Sequence, residues 1–244
     1  MGATALEFRL RMVINAAIIV LGVWAPWVPA DKRMYVLEWL PREVARAGWM
    51  PFSSAVTALL VVAGVLAALG AILRVWGTAW LGPATVIGLD MKAGSVVANG
   101  PYRYLRNPLY VGLWYMVAAI ALLMQPSGAA VVLTLLTVFL VRLTLGEEAF
   151  LSARLGEPYR AYLRAVPRIL PRLRNNLTRD DARPQWVRAI LSELTPIGVF
   201  VAVVVFAKTY DAQLMARVMI VGFGASLVGR AFLPRANSDS KASA

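Results

Sequence analysis

The sequence predicts an all-α, polytopic integral membrane helix bundle, with about six transmembrane helices and both termini in the cytoplasm. Three observations carry that expectation. Of 244 residues, 59% are hydrophobic and only 16% charged, against about 45–50% and about 25% in a typical soluble domain. The apolar residues fall in long blocks instead of alternating with polar ones. The 25 Lys and Arg residues, set against 13 acids, gather in alternate segments between those blocks.

The blocks are Met12–Val28, Ser54–Trp76, Pro108–Met124, Gly128–Leu145, Leu194–Ala207 and Gln213–Gly229. Each lies near the roughly 17–25 residues that a helix needs to cross a bilayer. A single run could be a buried core helix; six could not. The fifth is short and holds Pro196 and Gly198. The first follows Arg9 and Arg11 as a signal peptide's apolar region would, but Trp24, Pro26, Trp27 and Pro29 make a poor cleavage site, so it reads as a membrane helix. With six spans, nineteen of the twenty-five basic residues fall on one side, which the positive-inside rule assigns to the cytoplasm. The net charge of +12 is then a topology signal, not a nucleic-acid footprint.

Between the spans, the outer loop Ala30–Pro51 carries Tyr35, Trp39 and Trp49 among charges and reads as an interfacial segment. Gln125-Pro126-Ser127 is a short turn that makes spans three and four an antiparallel hairpin. The sequence divides into membrane helices and outer loop at 1–73, a core with the site at 74–172, a linker and two further membrane helices at 173–233, and a small polar tail at 234–244.

There is no cysteine and no histidine. That excludes disulfides, thiolate and imidazole metal sites, and a Ser-His-Asp triad. Chemistry is left to carboxylates, arginines, tyrosines, backbone groups and a cofactor, with no metal expected.

Three clusters carry such groups. In Asn99-Gly-Pro-Tyr-Arg-Tyr-Leu-Arg-Asn-Pro-Leu-Tyr-Val-Gly112, Asn107 and Pro108 read as an N-cap and first helical residue that start span three. The free N–H groups of that helix start are a natural seat for a carboxylate, with Arg103 and Arg106 nearby and Tyr110 and Trp114 along one helix face. Interfacial anchoring by Tyr and Arg is the plainer reading of the same residues. Glu147 and Glu148 directly follow span four, either as solvated residues paired with Arg142 or Arg154 or as a cation site. The hairpin would bring them to the depth of Arg106 and Asn107, so that a zwitterion could be held between the two clusters. The third cluster, Leu155 to Arg168 followed by Pro171, interleaves Tyr159 and Tyr162 with Arg160 and Arg164 and reads as a helix on the membrane surface.

In this order the clusters resemble the isoprenylcysteine carboxyl methyltransferase family, whose membrane superfamily includes phospholipid methyltransferases and sterol reductases. The matching residues are Gly100 and Tyr102 through Arg106, Asn107, Pro108, Tyr110 and Gly112; then Glu147-Glu148; then Gly156, Tyr159, Tyr162, Val166, Arg168 and Pro171. Asn107 stands where many members have histidine; bacterial-looking relatives often carry Arg-Asn-Pro, so the change does not imply inactivation, and it leaves no imidazole as general base. The expected location is a bacterial inner (cytoplasmic) membrane with the site facing the cytoplasm.

The resemblance implies S-adenosylmethionine as cofactor and a lipid or lipophilic acceptor, an isoprenylcysteine-type carboxylate or a phospholipid amine. It implies Gly100, Tyr102, Tyr104, Arg106, Asn107, Tyr110, Glu147, Glu148, Tyr159 and Tyr162 as cofactor-binding residues. Glu148 and Arg168 are the candidate catalytic residues, and Arg168 and Trp114 the candidate acceptor contacts. A carboxylate acceptor needs no general base; an amine would need Glu148 or a tyrosine. A reductase of the sterol type and a non-catalytic lipid-binding membrane protein are the alternatives. A transporter fits poorly, because the only charges within the spans, Arg142 and Arg217, lie near their ends.

Overall fold

The computed structural model describes residues 2–24, 34–82, 85, 98–172 and 183–232. Ten α-helices run through them: α1 (Ala5–Arg9), α2 (Arg11–Trp24), α3 (Val36–Arg46), α4 (Phe52–Leu81), α5 (Pro108–Ala121), α6 (Pro126–Leu155), α7 (Glu157–Ala165), α8 (Trp186–Ser192), α9 (Leu194–Thr209) and α10 (Ala212–Ala231). No strand occurs among the described residues. Three helices, α4, α6 and α10, are long and apolar enough to cross a membrane, and the bent pair α8–α9, angled at 64°, makes up to four. The protein is an all-α membrane helix bundle.

The two remaining expected spans are shorter. α2 and α5 have 14 residues each, about 21 Å of helix against an apolar bilayer core of about 30 Å. The end of the first block, residues 25–28, lies outside the described residues, as do the first four residues of the outer loop, residues 83–84, 86–97 and 173–182, and the tail. Within that outer loop α3 forms, leaving Tyr35, Trp39 and Trp49 exposed.

Several boundaries shift. The chain leaves α5 at Leu122, and Pro126 already lies inside α6. The turn is therefore 122–125, because proline at a helix start loses no hydrogen bond. α6 does not stop at Leu145 but continues to Leu155, where Gly156 at φ 63° ends it. Glu147 and Glu148 are thus helical residues, not residues following a helix. α4 likewise continues to Leu81, ended by Gly82 at φ 87°. In α9, Pro196 sits in the first turn, where its missing N–H costs nothing, so the helix runs unbroken to Thr209.

α4 packs along α5 and against α3 and α9; α2 and α5 pack against α6; α9 and α10 form a hairpin. One core joins Phe8, Ile18, Leu59, Val117, Leu136 and Leu143. A second joins Ala63 and Ala67 of α4, Met116 and Ala119 of α5, and Val199 and Val203 of α9. Small residues let the backbones approach, as at membrane helix interfaces generally. A Cβ on Gly70 would stand 2.8 Å from the Gly112 carbonyl oxygen. This close contact of α4 with α5 fixes where the start of α5 emerges.

Candidate functional site

The chain enters the site through a 3-10 turn, Gly100–Arg103. Gly100 has φ +57°, and a Cβ there would fall inside the Trp80 indole, so only glycine fits. The turn buries Tyr102 and Leu105 and delivers Arg106 and Asn107 to the start of α5. Asn107 holds the N-cap position, but its side chain caps nothing. Its Nδ2 is buried without a hydrogen-bond partner among the described residues, as are Tyr102 Oη and Trp80 Nε1. Unsatisfied buried polar atoms carry a cost; Tyr102 belongs to this turn, Trp80 packs against it at Gly100, and Asn107 starts the helix that follows it.

The segment after α7 runs beside this turn. The Arg106 N–H donates to the Pro167 carbonyl at 3.0 Å, and the Arg172 N–H to the Tyr104 carbonyl at 3.0 Å. That pairing brings two arginines onto one carboxylate. Arg106 Nη1 donates to Glu148 Oε1 at 2.9 Å, while its Nε donates to the Val166 carbonyl at 2.6 Å. Arg168 Nη2 donates to Glu148 Oε2 at 2.7 Å and its Nε to Oε1 at 3.2 Å. The expected partners of the acid pair, Arg142 and Arg154, are not the ones found: Arg142 binds Glu7. Arg154 lies instead over the Phe150 ring. The Glu148 side chain is 9% exposed and that of Arg106 14%, but Arg168 is 43% exposed. Arg168 is therefore the end of the triad open to a ligand. Its bond to Glu148 raises the guanidinium pKa further, so it stays charged. Glu147 instead interacts electrostatically with Tyr110 and with Arg11.

Tyr159 and Tyr162 pack with Val166 as a small core under the site, and the Tyr162 hydroxyl donates to the Tyr102 carbonyl at 2.9 Å. Burial pushes the hydroxyls of Tyr102, Tyr159 and Tyr162 well above the ordinary tyrosine range. All three are neutral donors at physiological pH. Tyr104 stands slightly apart, its ring 6.3 Å from that of Trp76.

From Arg168 a pocket of about 270 Å³ runs between α5 and α6, lined by Asn107, Tyr110, Trp114, Leu140, Val141 and Ile169 among others. The one polar edge of Trp114 is satisfied across the hairpin, Nε1 donating to Thr137 Oγ1 at 2.9 Å. The groove wall is thus apolar with a cationic end. Of the sequence candidates, Asn107, Tyr110, Trp114 and Arg168 meet at this pocket; Arg106, Glu147 and Glu148 lie behind it; Gly100, Tyr102, Tyr104, Tyr159 and Tyr162 form the adjoining turn and its support.

A second buried polar cluster lies at residues that carry no motif in the sequence. Glu193, 1% exposed, accepts from Arg74 Nε at 2.7 Å and Nη2 at 3.0 Å and from Thr78 Oγ1 at 2.8 Å. It stands at the break between α8 and α9, where the freed Ser192 carbonyl accepts from Ser226 Oγ and Arg230 Nε. The available signal was a lone acid immediately before an apolar run. Among the described residues no cluster of side chains suits a metal ion.

A family model described as phospholipid methyltransferase matches residues 58–157, from early α4 to the first residue of α7. This family lies in the same membrane methyltransferase superfamily as the isoprenylcysteine carboxyl methyltransferases that the motifs resemble, and the match supports a membrane methyltransferase acting on lipids. No curated protein and no solved structure matches the chain.

Proposed function

We propose that this protein is an integral-membrane, S-adenosylmethionine-dependent methyltransferase that methylates the anionic head of a lipid or lipophilic acceptor. The observation that carries the reading is the Arg106–Glu148–Arg168 triad seated at the polar end of an apolar groove between α5 and α6. The distribution of basic residues supports a site on the cytoplasmic face of the membrane, which we take to be a bacterial inner membrane.

The residues fit the cofactor. Tyr102 Oη, Asn107 Nδ2 and Trp80 Nε1 are buried donors lacking partners among the described residues, and the first turn of α5 has no side-chain cap. Donors of this kind suit a carboxylate and a hydroxylated, nitrogen-rich ligand. Glu147 is the carboxylate that would meet cationic groups, since both oxygens of Glu148 already accept from guanidinium donors. When bound, this cofactor supplies a methyl group already activated by its sulfonium.

What the chain itself must do is align an acceptor and exclude water. Glu148 orients Arg106 and Arg168 by accepting from both. Arg168, the exposed member, holds the acceptor head at the mouth of the groove. Trp114, Leu140 and Val141 receive its apolar tail. The buried tyrosines keep their protons and both Glu148 oxygens already accept from guanidinium donors, which leaves Glu147 as the carboxylate an amine would have to use, while the exposed Arg168 cation favours an anionic head. An acceptor that is already anionic, such as a carboxylate, suits this site better than a phospholipid amine.

Purified protein in lipid nanodiscs is titrated with S-adenosylmethionine and its demethylated product, beside Glu147→Ala. Binding by the parent and its loss in the variant are expected; no binding by the parent overturns the proposal. Mass spectrometry of a lipid extract incubated with isotopically labelled S-adenosylmethionine then identifies the acceptor. Label on a carboxyl ester agrees with the groove, and label on an amine headgroup reassigns the acceptor.

A further inference from the structure

Residues 2–11 lie outside the stretch matched by the family model, yet they pack on the turn of α6 that carries the acid pair. The Ala3 N–H donates to the Arg142 carbonyl at 2.7 Å. A Cβ on Gly146 would stand 2.6 Å from the Ala3 carbonyl oxygen, and one on Gly2 would stand 2.8 Å from the Gly146 amide nitrogen. Glu7 closes the contact with two bonds to Arg142 Nη2, at 2.8 and 2.9 Å, and is itself fixed by a capping box with Thr4. Phe8 is buried in the same core as Leu143. Arg11, 9% exposed, donates to the Phe8 carbonyl at 2.9 Å and acts electrostatically on Glu147 and Tyr110.

We infer that residues 2–11 are a strap that sets the position of Glu147 and Glu148, and that Gly146 is a positioning residue because only a bare Cα lets the strap backbone seat. The inference rests on the cofactor reading above for its effect on binding, but the strap itself is tested separately. A glycine in mid-helix weakens the helix relative to alanine, so its presence immediately before the acid pair calls for a steric reason, and the Ala3 carbonyl supplies one. Unseating the strap leaves the acid pair on a helix turn with a free outer face, and small misplacements of ligand-holding groups are costly.

Two full-length variants test this: Gly146→Ala, which pushes the strap off, and Ala3→Pro, which removes the donating N–H. Affinity for S-adenosylhomocysteine in nanodiscs is expected to fall about tenfold in each, and no further in the double variant, since both act on one contact. Amide exchange at residues 147–150 is expected to quicken in both. A helix-propensity effect alone would run the other way in Gly146→Ala. Parent-like exchange in both variants, or losses that multiply in the double variant, overturns the inference. If the parent binds no S-adenosylhomocysteine, the cofactor reading falls, while the exchange data still decide the strap.

Discussion

Arg106 and Glu148 stand 42 residues apart in sequence and 2.9 Å apart in space. Their pairing closes the mouth of the α5–α6 hairpin and leaves Arg168, bound to the other oxygen of the same carboxylate, as the exposed cation of the site. Glu148→Gln keeps the shape but removes the charge between two guanidiniums. Removing one partner of a buried ion pair costs about 3 kcal/mol or more; the share due to Arg168 is smaller because that side chain is 43% exposed. Unfolding in detergent is expected at a clearly lower temperature. A midpoint equal to the parent's would mean that the triad does not hold the hairpin.

The two linked tyrosines separate support from binding. Tyr162→Phe removes a hydroxyl that donates to the Tyr102 carbonyl, an expected loss of about 1 kcal/mol. Tyr102→Phe removes a buried hydroxyl with no partner among the described residues, so stability should hold or rise. If that hydroxyl meets the cofactor, affinity for S-adenosylmethionine falls only in Tyr102→Phe among changes that leave stability intact. Calorimetric titration beside a thermal melt checks both; a destabilised Tyr102→Phe would show that its hydroxyl is already satisfied.

Glu193 ties the helices beyond the family match back to α4. With a carboxylate 1% exposed and its Arg74 partner 16% exposed, Glu193→Ala is expected to cost about 3–5 kcal/mol. Thr78→Val removes a single hydrogen bond and should cost about 1 kcal/mol. Equal effects of the two substitutions on denaturant midpoints would contradict the ion-pair reading.

The Glu7–Arg142 pair gives a pH dependence of known sign. Hydrogen bonding from Arg142, aided by the Thr4 N–H, holds the Glu7 carboxyl at about 2 against an ordinary 4.5. Because the folded-state value is lowered, the stabilisation is complete above pH 4.5 and is lost as the pH falls towards 2. The protection of amides 3–8, taken relative to their intrinsic exchange rates, should fall across that window in the parent. In Glu7→Gln that protection should be lower from the outset and flat with pH.

Much of the site could be read along the chain because local chemistry marks it. Asn107-Pro108 announced a helix start, and the helix starts there. The acid pair stood out against an arginine-rich segment. The same reading misjudged the ends of α4 and α6, because apolar content decides where a helix can lie in a membrane but not where it stops. Glycines with positive φ decided that, at Gly82 and Gly156.

What the sequence determined by itself is the class of the protein. Long apolar blocks and alternating basic segments require a membrane helix bundle, since in lipid every backbone polar group must be satisfied within the chain. What only the tertiary structure decided is partnership. Glu148 had several arginines within reach in sequence and took Arg106 and Arg168; Arg142 went to Glu7, and Arg74 to Glu193. Charge pairing depends on which helix faces meet, and these are fixed by close contacts such as Gly70 against Gly112, not by separation along the chain.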